Sequence, residues 1–436
     1  MINNTLSKLF KGDKVIWMVF FFLCIISIVE VFSASSQLAY KGGSYLSPMF
    51  KHIFLLILGI FCMIITLNIQ CRYFKVALPF LLIVSIITLG AVPFAGQNIN
   101  GGSRWLNIFG LSFQPSEIAK GTMVLATAQI YSVLQTDNGA DKNAFKWVMG
   151  LSIAILALIC GENLSTAALL FLVIVMMMFI GRTPYSQLGK LLGVVTLLGV
   201  ACIFFIMAFG KDVNEEKKLL AAHNVTVVSD DKDGLFEKRP WFLKRADTWK
   251  TRIDKFMNSK DIPPDSVDLD KDAQVSYANI AIASSNVIGK GPGNSEQRDF
   301  LSQAFSDFIY AIIIEEMGII GAGGVAFLYI ILLFRTAKIA NQCENNFPAF
   351  LAMGLALMLV TQALFNMCVA VGLAPVTGQP LPLISKGGTS TVINCVYIGV
   401  ILSVSRYAEK KEVQAPLVEA VADGETSEYY TDGAMS

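Results

Sequence analysis

Ten long apolar runs leave this chain few ways to fold. They span Val15–Ser33, His52–Ile69, Lys75–Val92, Ile118–Val133, Phe145–Cys160, Leu164–Ile180, Leu188–Phe209, Asp307–Phe334, Pro348–Val371 and Thr391–Ser405. A bilayer's hydrocarbon core, about 30 Å thick, takes about 20 helical residues. Backbone at that depth must satisfy its own polar groups, so a spanning run is a helix. The 36 residues of Phe145–Ile180 are too many for one crossing, and Gly161-Glu162-Asn163 is the polar break that divides them. The expected fold is an all-α polytopic membrane protein with ten transmembrane helices and a large loop, 210–306, between helices 7 and 8. The first run is too long for the apolar core of a signal peptide and is read as an uncleaved helix. Residues 1–14 form a basic N-terminal segment, and 409–436 an acidic tail expected to be disordered.

Composition agrees. Only 15% of the 436 residues are charged and 54% are hydrophobic, whereas soluble domains carry about 25% charged residues. Net charge is +1, which argues against nucleic acid as a partner. The eight cysteines are scattered without a CxxC, and two histidines give little material for a His-based triad or metal site. Gly289-Lys290-Gly291-Pro292-Gly293 lacks the Ser/Thr and spacing of a nucleotide-binding P-loop.

Lysine and arginine set the orientation. With the N-terminus inside, inner segments hold Lys8, Lys11, Lys14, Arg72, Lys75, Lys142, Lys146, Arg182, Lys190, Arg335, Lys338, Arg406, Lys410 and Lys411. Outer short segments and helix starts hold only Lys41, Lys51, Arg104, Lys120 and Lys386. Both termini are then cytoplasmic. Three irregular segments share the outer side: 96–115, the long loop with a short amphipathic helix over Gln274–Val287, and 372–388.

Three carboxylates stand at or inside one apolar run: Asp307, Glu315 and Glu316. A charge at membrane depth costs about 2.5–3.5 kcal/mol on insertion scales and needs a partner, water or a function. Capping preferences favour an N-cap for a lone Asp at a helix start. Ser306 could cap instead, leaving Asp307 as a carboxyl desolvated by Phe305 and Phe308 and suited to general-base work. Glu315 and Glu316 lie two turns deeper, roughly 12–14 Å along the axis and about 100° apart. Glu316 is read as paired to another helix, and Glu315 stays open. Glu117 and Lys120 share a helix face as a local ion pair, or join Arg104 and Lys386 in a cationic cluster suited to phosphate. Glu162 and Asn163 are expected to be buried and hydrogen-bonded, Arg252 and Arg298 solvated. Glu30 has no assigned partner. Gly189 and Gly193 suggest a small-residue packing face.

Several stretches together resemble the SEDS family of FtsW/RodA-type peptidoglycan glycosyltransferases. Val31-Phe32-Ser33-Ala34-Ser35 is similar to the family's end of helix one. Gly102-Ser103-Arg104-Trp105 and Gln114-Pro115-Ser116-Glu117-Ile118-Ala119-Lys120 resemble its GxxRW…QPSExxK signature. Glu162-Asn163-Leu164-Ser165-Thr166 resembles a PDxGT box, with Asn163 where Asp is common. Gly289–Ser295, Ser306–Ala311 and Glu315-Glu316 resemble GxGxGNS…HTDFIFAxxxEE, with Phe305 where many members have His. Gly372–Pro375 and Leu381–Ser390 resemble GLLPxxGxxLPxxSxGGSS, with Lys386 where Tyr or Arg is common.

The resemblance implies ten helices, lipid II as substrate and Asp307 as the catalytic acidic residue. Arg104, Glu117, Lys120, Ser385, Lys386 and Arg252 are the expected substrate-binding residues, with Glu315, Glu316 and Asn163 in support. A divalent cation, Mg or Mn, could assist at the pyrophosphate. Expected partners are a class B penicillin-binding transpeptidase and other division proteins in a bacterial inner membrane. Gly293-Asn294-Ser295 and the outer-loop pattern favour the cell-division branch. A lipid II flippase and a divisome scaffold are the competing readings.

Overall fold

The computed structural model describes residues 11–35, 46–99, 102–108, 111–137, 139–209, 273–301 and 305–408, with isolated positions 247, 250, 251 and 253. Seven long helices come first: α1 (Lys14–Ser35), α2 (Leu46–Asn68), α3 (Cys71–Ala95), α4 (Pro115–Val133), α5 (Lys142–Glu162), α6 (Leu164–Ile180) and α7 (Tyr185–Phe209). A short α8 (Ala273–Ser284) precedes α9 (Ile309–Asn341), α10 (Asn346–Ala370) and α11 (Thr389–Ala408). Among the described residues these are ten long helices, each coinciding with one expected run. Eight are long and apolar enough to cross a membrane. The other two are α4, which carries Glu117 and Lys120, and α6, at 17 residues. The chain is thus an all-α polytopic membrane protein. The N-terminal segment to residue 10, the 211–272 insert apart from those four positions, Arg252 and the 409–436 tail lie outside the described residues.

Lipid gives helices little hydrophobic reason to associate, so close packing and polar contacts hold such bundles. Gly354 of α10 lies where a Cβ would stand 2.6 Å from Val124 Cγ1 and 2.7 Å from Met177 Cε. Gly399 of α11 touches α2, where a Cβ would lie 2.8 Å from the Met63 carbonyl oxygen. Polar contacts tie the ends. Asp13 caps α1, accepting from Val15 N and Ile16 N at 2.8 and 3.1 Å, and Arg335 Nε donates to its Oδ2 at 2.6 Å. The Asp13 amide donates to Ser405 Oγ at 2.8 Å. The starts of α1 and the ends of α9 and α11 therefore share one end of the bundle. At the Asn163 junction, its side-chain oxygen caps α6, accepting from Ser165 N at 3.1 Å. Asn163→Ala is expected to cost ~1 kcal/mol and Asn163→Asp much less, read by thermal unfolding in detergent. Equal midpoints for the two variants would contradict the cap.

Four expectations change. Segment 96–115, read as irregular, holds a three-stranded antiparallel meander: β1 (Gln97–Ile99), β2 (Gly102–Ile108) and β3 (Leu111–Phe113). The eighth span begins at Ile309 rather than Asp307, with Phe308 as its N-cap, so Asp307 does not cap it. That helix also breaks at Gly318 (φ 68°, ψ −173°). Gly189 and Gly193 make no packing face, since a Cβ on either meets nothing within 4 Å.

Candidate functional site

The Gly318 break organises the end of the bundle opposite Asp13. It frees the carbonyls of the preceding turn, and the incoming loop takes them: Lys290 N donates to Glu315 O at 2.9 Å and Gly291 N to Glu316 O at 2.8 Å. Ile320 N donates to Val287 O at 3.3 Å on the far side of the break. Gly289 holds φ +82°, and a Cβ there would lie 2.3 Å from Glu316 O. Glycine is the one residue that fits this approach.

Glu315 and Glu316, both fully buried, grip the same loop with their side chains. Glu315 accepts from Lys290 Nζ (2.9 Å), Ser295 Oγ (2.5 Å) and Glu296 N (3.1 Å). Glu316 accepts from Gly293 N at 2.9 Å, from Ser295 N at 3.3 Å and from Ser33 Oγ on α1. Arg298, expected to be solvated, is only 17% exposed; it donates to Ser33 Oγ at 3.0 Å and lies 3.9 Å from Glu316 Oε1. The pairing of Glu316 with α1 is thus only part of its environment, and Glu315 bonds a loop rather than a helix. Glu30 is fully buried one turn from Ser33, with neither carboxyl oxygen hydrogen-bonded among the described residues.

The hydrogen bond to Glu315 raises the Lys290 ammonium above the ordinary lysine range. A raised folded pKa means that this stabilisation is fully present below about pH 10.4 and fades as pH rises through the folded value. Lys290→Met is expected to lower the thermal midpoint at pH 8, with a gap to wild type that narrows as pH rises through the raised lysine value. A gap unchanged by pH would refute the pairing.

Asp307 follows this joint. Its side chain is half-buried between the buried Phe308 and the packed Phe305. Ser306 Oγ donates to Asp307 Oδ1 at 3.1 Å. Segment 372–388 lies against it. Ser385 Oγ donates to Ser306 O at 2.6 Å, and Lys386 N to Phe305 O at 2.9 Å. The Lys386 ammonium sits 4.8 Å from the centre of the Phe305 ring. Burial, and then the neighbouring Lys51, lower its pKa below the usual range. A Cβ on Gly378 would stand 3.4 Å from Arg104 Nη1 and 3.5 Å from Asp307 Oδ2, so cation and carboxylate lie within about 7 Å. Arg104 reaches this point from β2.

Lys120 is buried behind the segment that carries Gly378. It is 1% exposed, its ammonium 2.8 Å from Glu117 Oε1 and 2.7 Å from Gln362 Oε1. Of the two readings of Glu117 and Lys120, the local ion pair is present, and it holds Lys120 inside the bundle. Gln362 Nε2 passes the connection to Pro380 O at 3.0 Å, so the pair braces the segment carrying Gly378. Asn366, one turn along α10, donates to Asp307 O at 2.9 Å and to Gln379 O at 2.7 Å. Sequence reading passed over Gln362 and Asn366, although amides in an apolar run are a signal of interhelical bonding.

A half-buried carboxylate beside a guanidinium can take a proton from a bound hydroxyl while the cation faces developing negative charge. No three His, Cys, Asp or Glu side chains that could hold a metal ion come together among the described residues. The expected divalent cation therefore finds no cage built by them.

Comparison with known proteins agrees with this architecture. A family profile for cell cycle proteins of the FtsW, RodA and SpoVE type matches residues 13–410. A probable peptidoglycan glycosyltransferase FtsW of Geobacter sp. (strain M18) is 28% identical over 403 residues, covering 90% of this chain and 96% of that one. Stage V sporulation protein E of Bacillus subtilis (strain 168) is 26% identical over 407 residues, covering 92% and 99%. A chain from a solved peptidoglycan synthase complex superposes with TM-score 0.64 at 21% identity, covering 91% and 98%. Thermus thermophilus rod shape determining protein RodA gives 0.59 at 20%, covering 91% and 97%. With the family model matching residues 13–410, almost end to end, the chain belongs to the FtsW/RodA/SpoVE family of cell cycle proteins.

Proposed function

We propose that this protein is a peptidoglycan glycosyltransferase that polymerises lipid II into glycan strands for the septal wall of a dividing bacterium. The observation that carries the reading is the Asp307 carboxylate facing Arg104 across Gly378. The names of the similar FtsW proteins support it. Asp307 accepts the proton of the acceptor sugar's 4-hydroxyl as that oxygen bonds the donor's anomeric carbon. The bond from that carbon to pyrophosphate breaks, and the polyprenyl pyrophosphate leaves with the electron pair. Arg104 and Lys386 face its charge. Ser385 holds the Ser306 backbone, Glu117 and Lys120 brace the opposing segment, and Glu315, Glu316 and Asn163 keep the framework.

The lysine and arginine bias supports cytoplasmic termini, with the Asp307 end on the outer face of the inner membrane. A class B penicillin-binding transpeptidase is the proposed partner, in line with the synthase complex that the fold resembles; other division proteins would join it.

The test supplies lipid II to the purified full-length chain, alone and with such a transpeptidase, and reads glycan strands on a gel. Strands from wild type and none from Asp307→Asn are expected. No strands from either, with lipid II crossing vesicle membranes regardless of Asp307, would replace the enzyme with a transporter.

A further inference from the structure

We infer that Asn366 is a positioning residue that sets the Asp307 carboxylate against Arg104; the inference rests on the role given to Asp307 above. Asp307 lies outside α9, one residue before the N-cap Phe308. Helix hydrogen bonding therefore does not fix its backbone. The bond to its carbonyl comes from Asn366 Nδ2 at 2.9 Å, and the same amide donates to Gln379 O at 2.7 Å. One nitrogen thus uses both protons on two segments distant in sequence.

The second segment is the one that matters for geometry. Gln379 follows Gly378, the residue that approaches both Arg104 Nη1 and Asp307 Oδ2. Gln379 is also held from its other side, its Nε2 donating to Thr166 Oγ1 of α6 at 2.7 Å. Pro380 is held by Gln362, four residues before Asn366 on the same face of α10. Segment 378–380 is therefore fixed to α6 and α10, and Asn366 is the group that ties Asp307 to it. At 1% exposure the amide is shielded from water, so truncating it removes two donors that bulk water does not readily replace. A reacting group moved by 1 Å can lose about 10²-fold in rate.

The experiment measures lipid II polymerisation by wild type, Asn366→Ala, Asn366→Asp and Asp307→Asn, all as purified full-length protein. Asn366→Ala is expected to lower kcat about 10- to 100-fold with KM for lipid II within about twofold. Asn366→Asp keeps the shape. When ionised it has no donor, and when protonated it regains one O–H. Its activity relative to wild type is expected to rise as pH falls from 8 to 5.5, which a merely structural role would not produce. Wild-type kcat in Asn366→Ala beside an inactive Asp307→Asn overturns the positioning role alone. Full activity in Asp307→Asn overturns the general base and this inference with it. If Asn366→Ala fails to fold, the pH ratio of Asn366→Asp decides, and a flat ratio overturns the role.

Discussion

Asp307→Asn is expected to lower lipid II polymerisation by about 10²–10⁴-fold, the usual worth of a positioned general base. Asparagine keeps the shape and can accept the bond from Ser306 Oγ, but its amide does not take a proton at neutral pH. It also caps helices about as well as aspartate. The substitution therefore separates the two readings open from sequence alone. A helix cap predicts near-normal activity and stability; a general base predicts a folded protein with kcat removed and KM little changed. Polymer formed at the wild-type rate would end the catalytic assignment.

Gly318→Ala is expected to cost more in stability than any other single methyl added to α9. A Cβ would stand 2.3 Å from Val287 O and 2.5 Å from Gly289 N, both backbone atoms that cannot swing aside. The glycine's φ of +68° with ψ of −173° is a region nearly closed to other residues, costing about 1–3 kcal/mol by itself. The loop must also withdraw, leaving Glu315 and Glu316 buried without their donors. Stripping a buried charge of its partner costs about 3–5 kcal/mol. Loss of folded protein is expected, or else a thermal midpoint far below wild type with faster hydrogen exchange over 287–298. Gly323→Ala is the control: its Cβ meets nothing within 4 Å, and it gains up to about 1 kcal/mol of helix propensity. Equal midpoints for the two variants would refute the account of the break.

Hydropathy located every long helix, because lipid imposes one rule on the backbone whatever the side chains do. Loop geometry was far less legible. The meander after α3 depends on strand pairing between short segments that carry no strong period. Asp307 was found through the resemblance of its surrounding motif; as a lone acid near a helix start it favoured a cap. The Glu117–Lys120 pair was readable from its spacing, but the burial of Lys120 and its bond to Gln362 depend on the depth of α4 in the bundle. Apart from Ser33 on α1, the donors to Glu315 and Glu316 come from a loop some twenty residues away, where helix periodicity says nothing. Asn366 and Gln362 carried a readable signal, being amides within an apolar run.

The ties made by α1 set an order of events during synthesis. Asp13 is joined to Arg335 across 322 residues and Ser33 to Glu316 across 283. At about 5–20 residues per second, roughly 15–60 s separate the emergence of these partners from the ribosome. Throughout that interval the first helix waits in the membrane with Glu30 and Ser33 lacking their later neighbours. Its otherwise apolar sequence offsets the insertion cost of a single carboxylate, about 2.5–3.5 kcal/mol. Closure of the bundle therefore comes late, when α9 delivers Glu316. A chain interrupted before that point leaves an inserted first helix with Glu30 and Ser33 still open to other partners.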